Sequence, residues 1–169
     1  MELTLDMRYD HKAMTAMARG IRKALQAEYY RKSTIIGSLF VGIGGGILLQ
    51  STHFGYQQII ALIVLVIWVL YMIFQDHVHG FWASYKMPAG MKKGTWTFRD
   101  DGFFSTTEMG ISGFDYDSIY AIIECDGYLI LCFANSQGQV FYLNQLSEES
   151  VASLRKLLRK KTNLTIQNV

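Results

Sequence analysis

Two apolar segments with a short polar gap between them constrain this chain more than anything else in it. The first, Ile35 to Leu49, carries no charge and almost no polar group. The second, Ile59 to Phe74, is an unbroken run of Ile, Leu, Val, Ala, Met and aromatic residues. A helix crossing a bilayer core of ~30 Å needs roughly 20 residues. Each segment reaches that length when Ser33, Thr34, Tyr56, Gln57 and Gln58 are counted as interfacial turns. A soluble surface helix would show a polar residue every third or fourth position, and neither segment does. A buried hairpin in a soluble core would need more surrounding chain than 169 residues leave. The expectation is a two-helix transmembrane hairpin over 33–76.

The flanks orient it. Arg8, Lys12, Arg19, Arg22, Lys23, Arg31 and Lys32 precede the first span, Lys86, Lys92 and Lys93 follow the second, and the gap from Gln50 to Gln58 holds no Lys or Arg. Excess Lys and Arg stay on the cytoplasmic side. Both termini are therefore expected inside, with His53 in a small outer turn. The apolar run starts too late for a secretory signal, and no Ala-x-Ala pattern follows it.

Removing the hairpin leaves roughly 90 residues after it, enough for one small domain with its own core. The division expected is 1–32, an N-terminal strand and basic amphipathic helix; 33–76, the hairpin; 77–93, a juxtamembrane connector; and 94–169, a β-rich domain with a C-terminal helix. The fold class is thus an α+β membrane protein whose small antiparallel sheet or barrel is closed by a helix. Cys125 and Cys132 fall in the cytoplasmic part, where thiols stay reduced. No Cys/His spacing for zinc is present, and no cofactor is expected.

Glu2 to Met7 alternates like a strand. Asp10 suits a helix N-cap, and from there to Lys32 Met14, Met17, Ala18, Ile21 and Leu25 share one face. That basic helix either lies on anionic lipid or packs on its own domain. Arg31, Lys32, Trp82 and Tyr85 read as membrane-interface residues. Ser38, Gly42 and Gly46 repeat at four-residue spacing, a stripe that lets another helix approach closely. Its partner is either the second span or another copy of the chain. No ionisable residue lies inside either span, which disfavours a pump or transporter. Asp76, His77 and His79 follow the second span, but His77 and His79 are two apart and face different ways on a helix; no metal site is expected.

After Gly94, Thr95 to Arg99 reads as a strand, Asp101-Gly102 as a two-residue turn, and Phe103 to Met109 as the next strand. A further strand ends at Cys125, Asp126-Gly127 turns, and Tyr128 to Ala134 returns. That turn pairs Cys125 with Tyr128, Ile123 with Ile130 and Ala121 with Cys132, an apolar face assigned to the core. The other face, with Tyr120, Ile122, Leu129, Leu131 and Phe133, is nearly as apolar, so something must cover it. The terminal helix, the N-terminal segments and a protein partner are all open. Tyr120, Leu129, Leu131 and Phe133 are therefore partner-binding candidates. Asn135 to Gly138 turns, Gln139 to Leu143 is a strand, and Ser147 caps a last helix with Val151, Leu154, Leu157 and Leu158 as its buried stripe. The tail from Leu164 alternates weakly and could add a strand.

A membrane hairpin, then short strands closed by one amphipathic helix, resembles the bacterial YcxB-like family over nearly the whole chain. The resemblance rests on the two spans, on Phe114-Asp115-Tyr116-Asp117-Ser118-Ile119 as a Tyr-x-x-Ile strand entry, and on Leu143 with the helix after Leu146. It implies a C-terminal domain similar to a pleckstrin-homology-like barrel, in a two-pass protein of the bacterial inner membrane. Family members often carry a Pro-Lys pair where this chain reads Leu143-Asn144-Gln145, so no ligand role is carried over there.

No catalytic constellation is present: no histidine lies in the β-domain, and there is no Gly-x-Ser-x-Gly, P-loop or Gly-x-Gly-x-x-Gly. The expectation is a non-enzymatic anchor whose partners are membrane lipid and either another copy of the chain or another protein. The alternative is a ligand-gated effector, since the architecture also looks like two-span proteins of anti-phage systems that sense a small second messenger. Arg99, Arg155 and Arg159 are the ligand candidates in that case. Between Gly94 and Leu146 Arg99 is the one basic residue against seven acidic ones, which weighs against phosphate ligands on the sheet and against nucleic acid.

Overall fold

The computed structural model describes residues 3–50, 55–134 and 137–169. The gap predicted as an outer turn, with His53, lies largely outside the described residues, as do Asn135 and Ser136. Among the described residues the fold is α+β, with four α-helices and two four-stranded sheets.

The chain opens with β1, Leu3–Arg8, followed by α1, His11–Ala24, whose cap Asp10 accepts a hydrogen bond from Ala13 N. Two long helices follow, α2, Ala27–Gln50, and α3, Tyr56–Lys86. Only then does the chain return to β structure with β2, Lys93–Phe98, β3, Phe103–Thr107, and β4, Gly110–Phe114. The second sheet contains β5, Ala121–Cys125, β6, Tyr128–Ala134, β7, Gln137–Tyr142, and the terminal β8, Ile166–Asn168. Helix α4, Glu148–Thr162, precedes β8 and is capped by Ser147. The sheet orders are β1-β2-β3-β4 and β7-β6-β5-β8.

This topology corrects the sequence division. Residues 1–32 are not a separate N-terminal unit: β1 pairs antiparallel with β2, Leu5 opposite Trp96, and Leu5, Met7, Met14 and Ile21 join the same core as Phe103, Leu131 and Leu158. Three helices are inserted between two neighbouring strands. The basic helix stops at Ala24, not Lys32, and Leu25 N closes it on Ile21 O. Within the connector, 77–93, the helix runs to Lys86 and ends ahead of Pro88, where the sequence also reads the helical segment as ending.

Two turns also differ. Arg99 N donates to Gly102 O at 2.8 Å, so β2 and β3 are joined by the loop Arg99–Gly102 and not by Asp101-Gly102 alone. The strand expected over Phe103–Met109 breaks after Thr107. Glu108 and Met109 turn, Gly110 adopts φ +136°, and β4 returns beside β3. Alternation gave no warning, since the Gly110–Phe114 segment has only two large side chains. By contrast, Asp126 (φ 52°) and Gly127 (φ 80°) form the expected left-handed turn, with the anticipated pairs Cys125–Tyr128, Ile123–Ile130 and Ala121–Cys132.

Both faces of β5–β6 are covered by the chain itself. Helix α1 lies on the Ile123–Cys125–Ile130 face: a Cβ placed on Gly20 would sit 2.5 Å from Ile130 Cδ1 and 3.4 Å from Cys125 Cβ. The opposite face is the centre of the core between the two sheets, where Leu129 and Leu131 are fully buried and Phe133 stacks on Phe103 and Phe114 at 6.1 and 5.4 Å. Leu154 and Leu158 of α4 complete that core.

Candidate functional site

The most constrained junction of the molecule is the seam between α1 and α3. Along α3, Asp76, Gly80 and Ala83 recur at helical spacing and point to one side, where they meet α1 or the core, and Met87 packs on the core just past the helix end. Gly80 is required there: a Cβ would come within 2.6 Å of Thr15 N and 2.7 Å of its Cα. On α1, Thr15, Arg19 and Arg22 share the facing side. The helix is therefore held between α3 on one side and β5–β7 on the other. Of the two expectations for α1, packing on its own domain is what the structure shows.

Charge pairing crosses this seam. Arg22 donates from Nε and Nη2 to the two carboxylate oxygens of Asp76, both at 2.7 Å. Asp76 is 8% exposed. Arg19 stands 3.5 Å from the same carboxylate through Nε and donates from Nη1 to Asp126 at 2.5 Å. Asp126 is the left-handed residue of the β5–β6 turn. A continuous chain of charges, Asp126–Arg19–Asp76–Arg22, thus ties the β-domain through α1 to the long helix. The Arg22 guanidinium also lies 5.7 Å from the Tyr30 ring centroid, which brings α2 into the same corner. Planar forks that bind carboxylates bidentately fix geometry as well as charge. The sequence reading missed this clasp, because Asp76 was weighed only with His77 and His79. A lone acid directly after an apolar run, opposite a helix with arginines three apart, was the available signal.

The two histidines of the seam, His11 and His77, stack with centroids 6.1 Å apart. The described residues contain no group of three or more His, Cys, Asp or Glu placed to hold a metal. Burial pushes the Cys132 thiol up to about 11, and burial with Asp126 nearby raises Cys125. Neither sulfur is poised as a nucleophile. The Tyr116 hydroxyl donates to Arg99 O at 2.7 Å, and burial, with Asp100 and Asp101 adding to it, pushes that phenol up to about 12.

The sequence-predicted residues fall as follows. Leu129 and Leu131 offer no atom to a partner, because the two sheets close over them; Phe133 is half-buried, and Tyr120 is 59% exposed. Gly42 and Gly46 have nothing within 4 Å of an added Cβ, so the Ser38–Gly42–Gly46 stripe does not face α3. The close approach is one residue earlier, at Gly37, whose Cβ would meet Trp68 Nε1 at 3.0 Å, and again at Gly44 against Leu65 at 3.7 Å. Arg31 and Lys32 are exposed in α2, and Lys32 pairs with Glu28 at 2.8 Å. Trp82 and Tyr85 are exposed on α3 beside Phe81. The ligand candidates do not converge: Arg155 is held by Glu124 through two 2.7 Å bonds, Arg99 lies over the Phe104 ring, and Arg159 is exposed in the last turn of α4. Arg155 does line a groove of about 850 Å³ with Asp126, Gly127, Glu148 and Asn168.

Among the described residues one helix, Gln58–Lys86, is long and apolar enough to cross a membrane by length and composition. The chain matches no family model, no curated protein and no solved structure.

Proposed function

We propose that the chain is a non-enzymatic, membrane-anchored interaction protein of the YcxB-like kind. In this reading α2 and α3 form a two-pass hairpin in the bacterial inner membrane, with both termini cytoplasmic. The two sheets and α4 form a pleckstrin-homology-like domain that binds a protein partner or a second copy. The observation that carries it is the exposure of α3: Ile59, Ile60, Ile63, Val64, Ile67, Leu70 and Ile73 all lie open on the structure's own surface. A water-facing helix of that composition would be an aggregation site, whereas lipid accommodates it at no cost. Side-by-side contacts from Gly37 to Trp68 and from Gly44 to Leu65 support an antiparallel pairing of the two helices.

Cysteine accessibility in intact cells tests it. Cys125 and Cys132 are buried and give little background. An impermeant maleimide should label Tyr56→Cys from outside and should not label Asn144→Cys until the membrane is opened. Equal labelling of both, or the reverse order, refutes the topology.

The charge clasp favours a second reading, a ligand-gated effector. A binding event at the β5–β6 turn would act on α3 through Asp126, Arg19 and Asp76. Under this reading a ligand that binds the β-domain changes ion leakage of proteoliposomes containing the chain, and Arg19→Ala uncouples the two.

A further inference from the structure

We propose that the free edge of β4, Gly110–Phe114, is a docking edge for an extended segment of a partner protein, apolar in its middle and basic at its ends. This rests on the interaction reading above and names the surface and the chemistry of the partner.

Sheet edges in proteins are normally blunted by charge, proline, brevity or a covering element. The other edges here show such devices. Strand β1 carries Asp6 and Arg8 and runs into Tyr9, whose hydroxyl donates to Gln139 of β7. Strand β7 is flanked by α1, and β8 has three residues. Strand β4 has none of them. It is five residues long, carries no charge and no proline, and ends the sheet order. Its turn is closed by the pair Thr107–Gly110. Antiparallel alternation then directs Gly110, Ser112 and Phe114 to β3 and leaves the N–H and C=O groups of Ile111 and Gly113 facing outward.

The side chains beside this edge are apolar and uncovered. Ile111 is 73% exposed and Met109 62%. Gly113 stands opposite Phe104, and an added Cβ there would touch the Phe104 ring at 3.1 Å, so the glycine leaves that ring reachable. Phe114 turns the other way and stacks on Trp96 and Phe103, which anchors the strand from beneath. An incoming strand would find backbone partners at two residues and an apolar lip above them.

Charge decides the occupant. Glu108 precedes the strand and Asp115 and Asp117 follow it; all three are exposed, and none forms an ion pair among the described residues. Arg99 is held over Phe104, and Lys93 and Arg8 line a groove with Glu108 and Asp6 on the β1–β2 side. A second copy pairing antiparallel about Ser112 would set Glu108 opposite Tyr116, between the partner's Asp115 and Asp117. Like charges opposed across strands disfavour that arrangement. A segment with Lys or Arg at both ends meets complementary charge instead.

The test uses the full chain in detergent micelles and two synthetic nonapeptides, Lys-Lys-Val-Thr-Ile-Thr-Val-Lys-Lys and the same sequence with Glu for Lys. Amide hydrogen exchange is read residue by residue. The basic peptide should slow exchange at Ile111 and Gly113 about tenfold, and the acidic peptide less than about twofold. The double variant Glu108→Lys/Asp115→Lys, confined to exposed residues, should reverse the preference. Protection at Tyr120 or along β1 with β4 unchanged overturns this inference and leaves the interaction reading standing. No protection at β4 with either peptide, or equal protection with both, also overturns it. The interaction reading itself falls separately, if cross-linking in cells yields neither a homo-oligomer nor an adduct at any β-domain position.

Discussion

Breaking the Arg22–Asp76 pair should loosen the domain from the long helix. Arg22 makes two charge-assisted bonds at 2.7 Å to a carboxylate whose side chain is 11% exposed; its own is 25% exposed. A hydrogen bond to a charged group contributes about 1.5–3 kcal/mol, and removing one partner of a fully buried ion pair costs about 3–5 kcal/mol. Two facts lower that range. Arg22 still reaches solvent, and Arg19 remains 3.5 Å from Asp76 to share its charge. Arg22→Ala should therefore cost about 2–3 kcal/mol. Asp76→Ala should cost somewhat less, because the freed Arg22 can turn to water. Since an apolar pair of similar shape often replaces a buried ion pair without loss, Arg22→Leu/Asp76→Leu should recover stability relative to either single change, with a coupling of about 1–2 kcal/mol. The assay is a denaturant melt of the full chain in micelles, in a Trp68→Phe/Trp82→Phe background so that fluorescence reports the buried Trp96. Additive single and double effects, or an Arg22→Ala chain that melts like the parent, would refute the clasp as a structural tie.

Four further outcomes are expected. Gly80→Ala should cost about 2–3 kcal/mol, because the Cβ meets the backbone of Thr15, which no rotamer can relieve; a circular-dichroism melt reads it. Gly37→Leu should separate α2 from α3 while Gly42→Leu leaves them paired, read by disulfide trapping between the two helices; a change of mass in Gly42→Leu would instead reveal a second copy on that stripe. Leu131→Ala and Leu154→Ala should each lower stability by about 2–5 kcal/mol, because both side chains are fully buried. Folded Cys132 should resist iodoacetamide at pH 8 and begin to react only as pH approaches 11, since burial raises its thiol; urea should abolish the difference.

The parts of the fold legible in advance were those set by local chemistry. The Asp126-Gly127 turn determined its own register, and Asp10 and Ser147 identified their helices because capping is a contact within three residues. What escaped depended on partners far away in sequence. The face carrying Leu129 and Leu131 was correctly read as needing a cover. Nothing local distinguished a foreign protein from the strands and helix that close over it. The apolar face assigned to the core is covered by α1, which the same pattern could equally place on lipid. Arg19 and Arg22 looked like ordinary solvated charges until Asp76 and Asp126, 54 and 107 residues away, came to meet them.

The insertion of three helices between β1 and β2 has a mechanical consequence for any function of this chain. Six register pairs, from Leu3–Phe98 to Arg8–Lys93, hold the two ends of the inserted segment together in one sheet. Helix α1 leaves that sheet and α3 returns to it, and the two are joined by the Gly80–Thr15 contact and the Arg22–Asp76 pair. A domain attached by one flexible linker can rotate freely without disturbing its anchor. Here a displacement of α3 must either shear β1 against β2 or open the α1–α3 seam. Shearing would break a whole ladder of backbone hydrogen bonds and expose Leu5 and Met7. Opening the seam breaks both Asp76 ion pairs, to Arg22 and to Arg19, together with the His11–His77 stack and the close Gly80–Thr15 contact. Asp76, Arg19 and Arg22 therefore set how costly any motion of the long helix against the domain is.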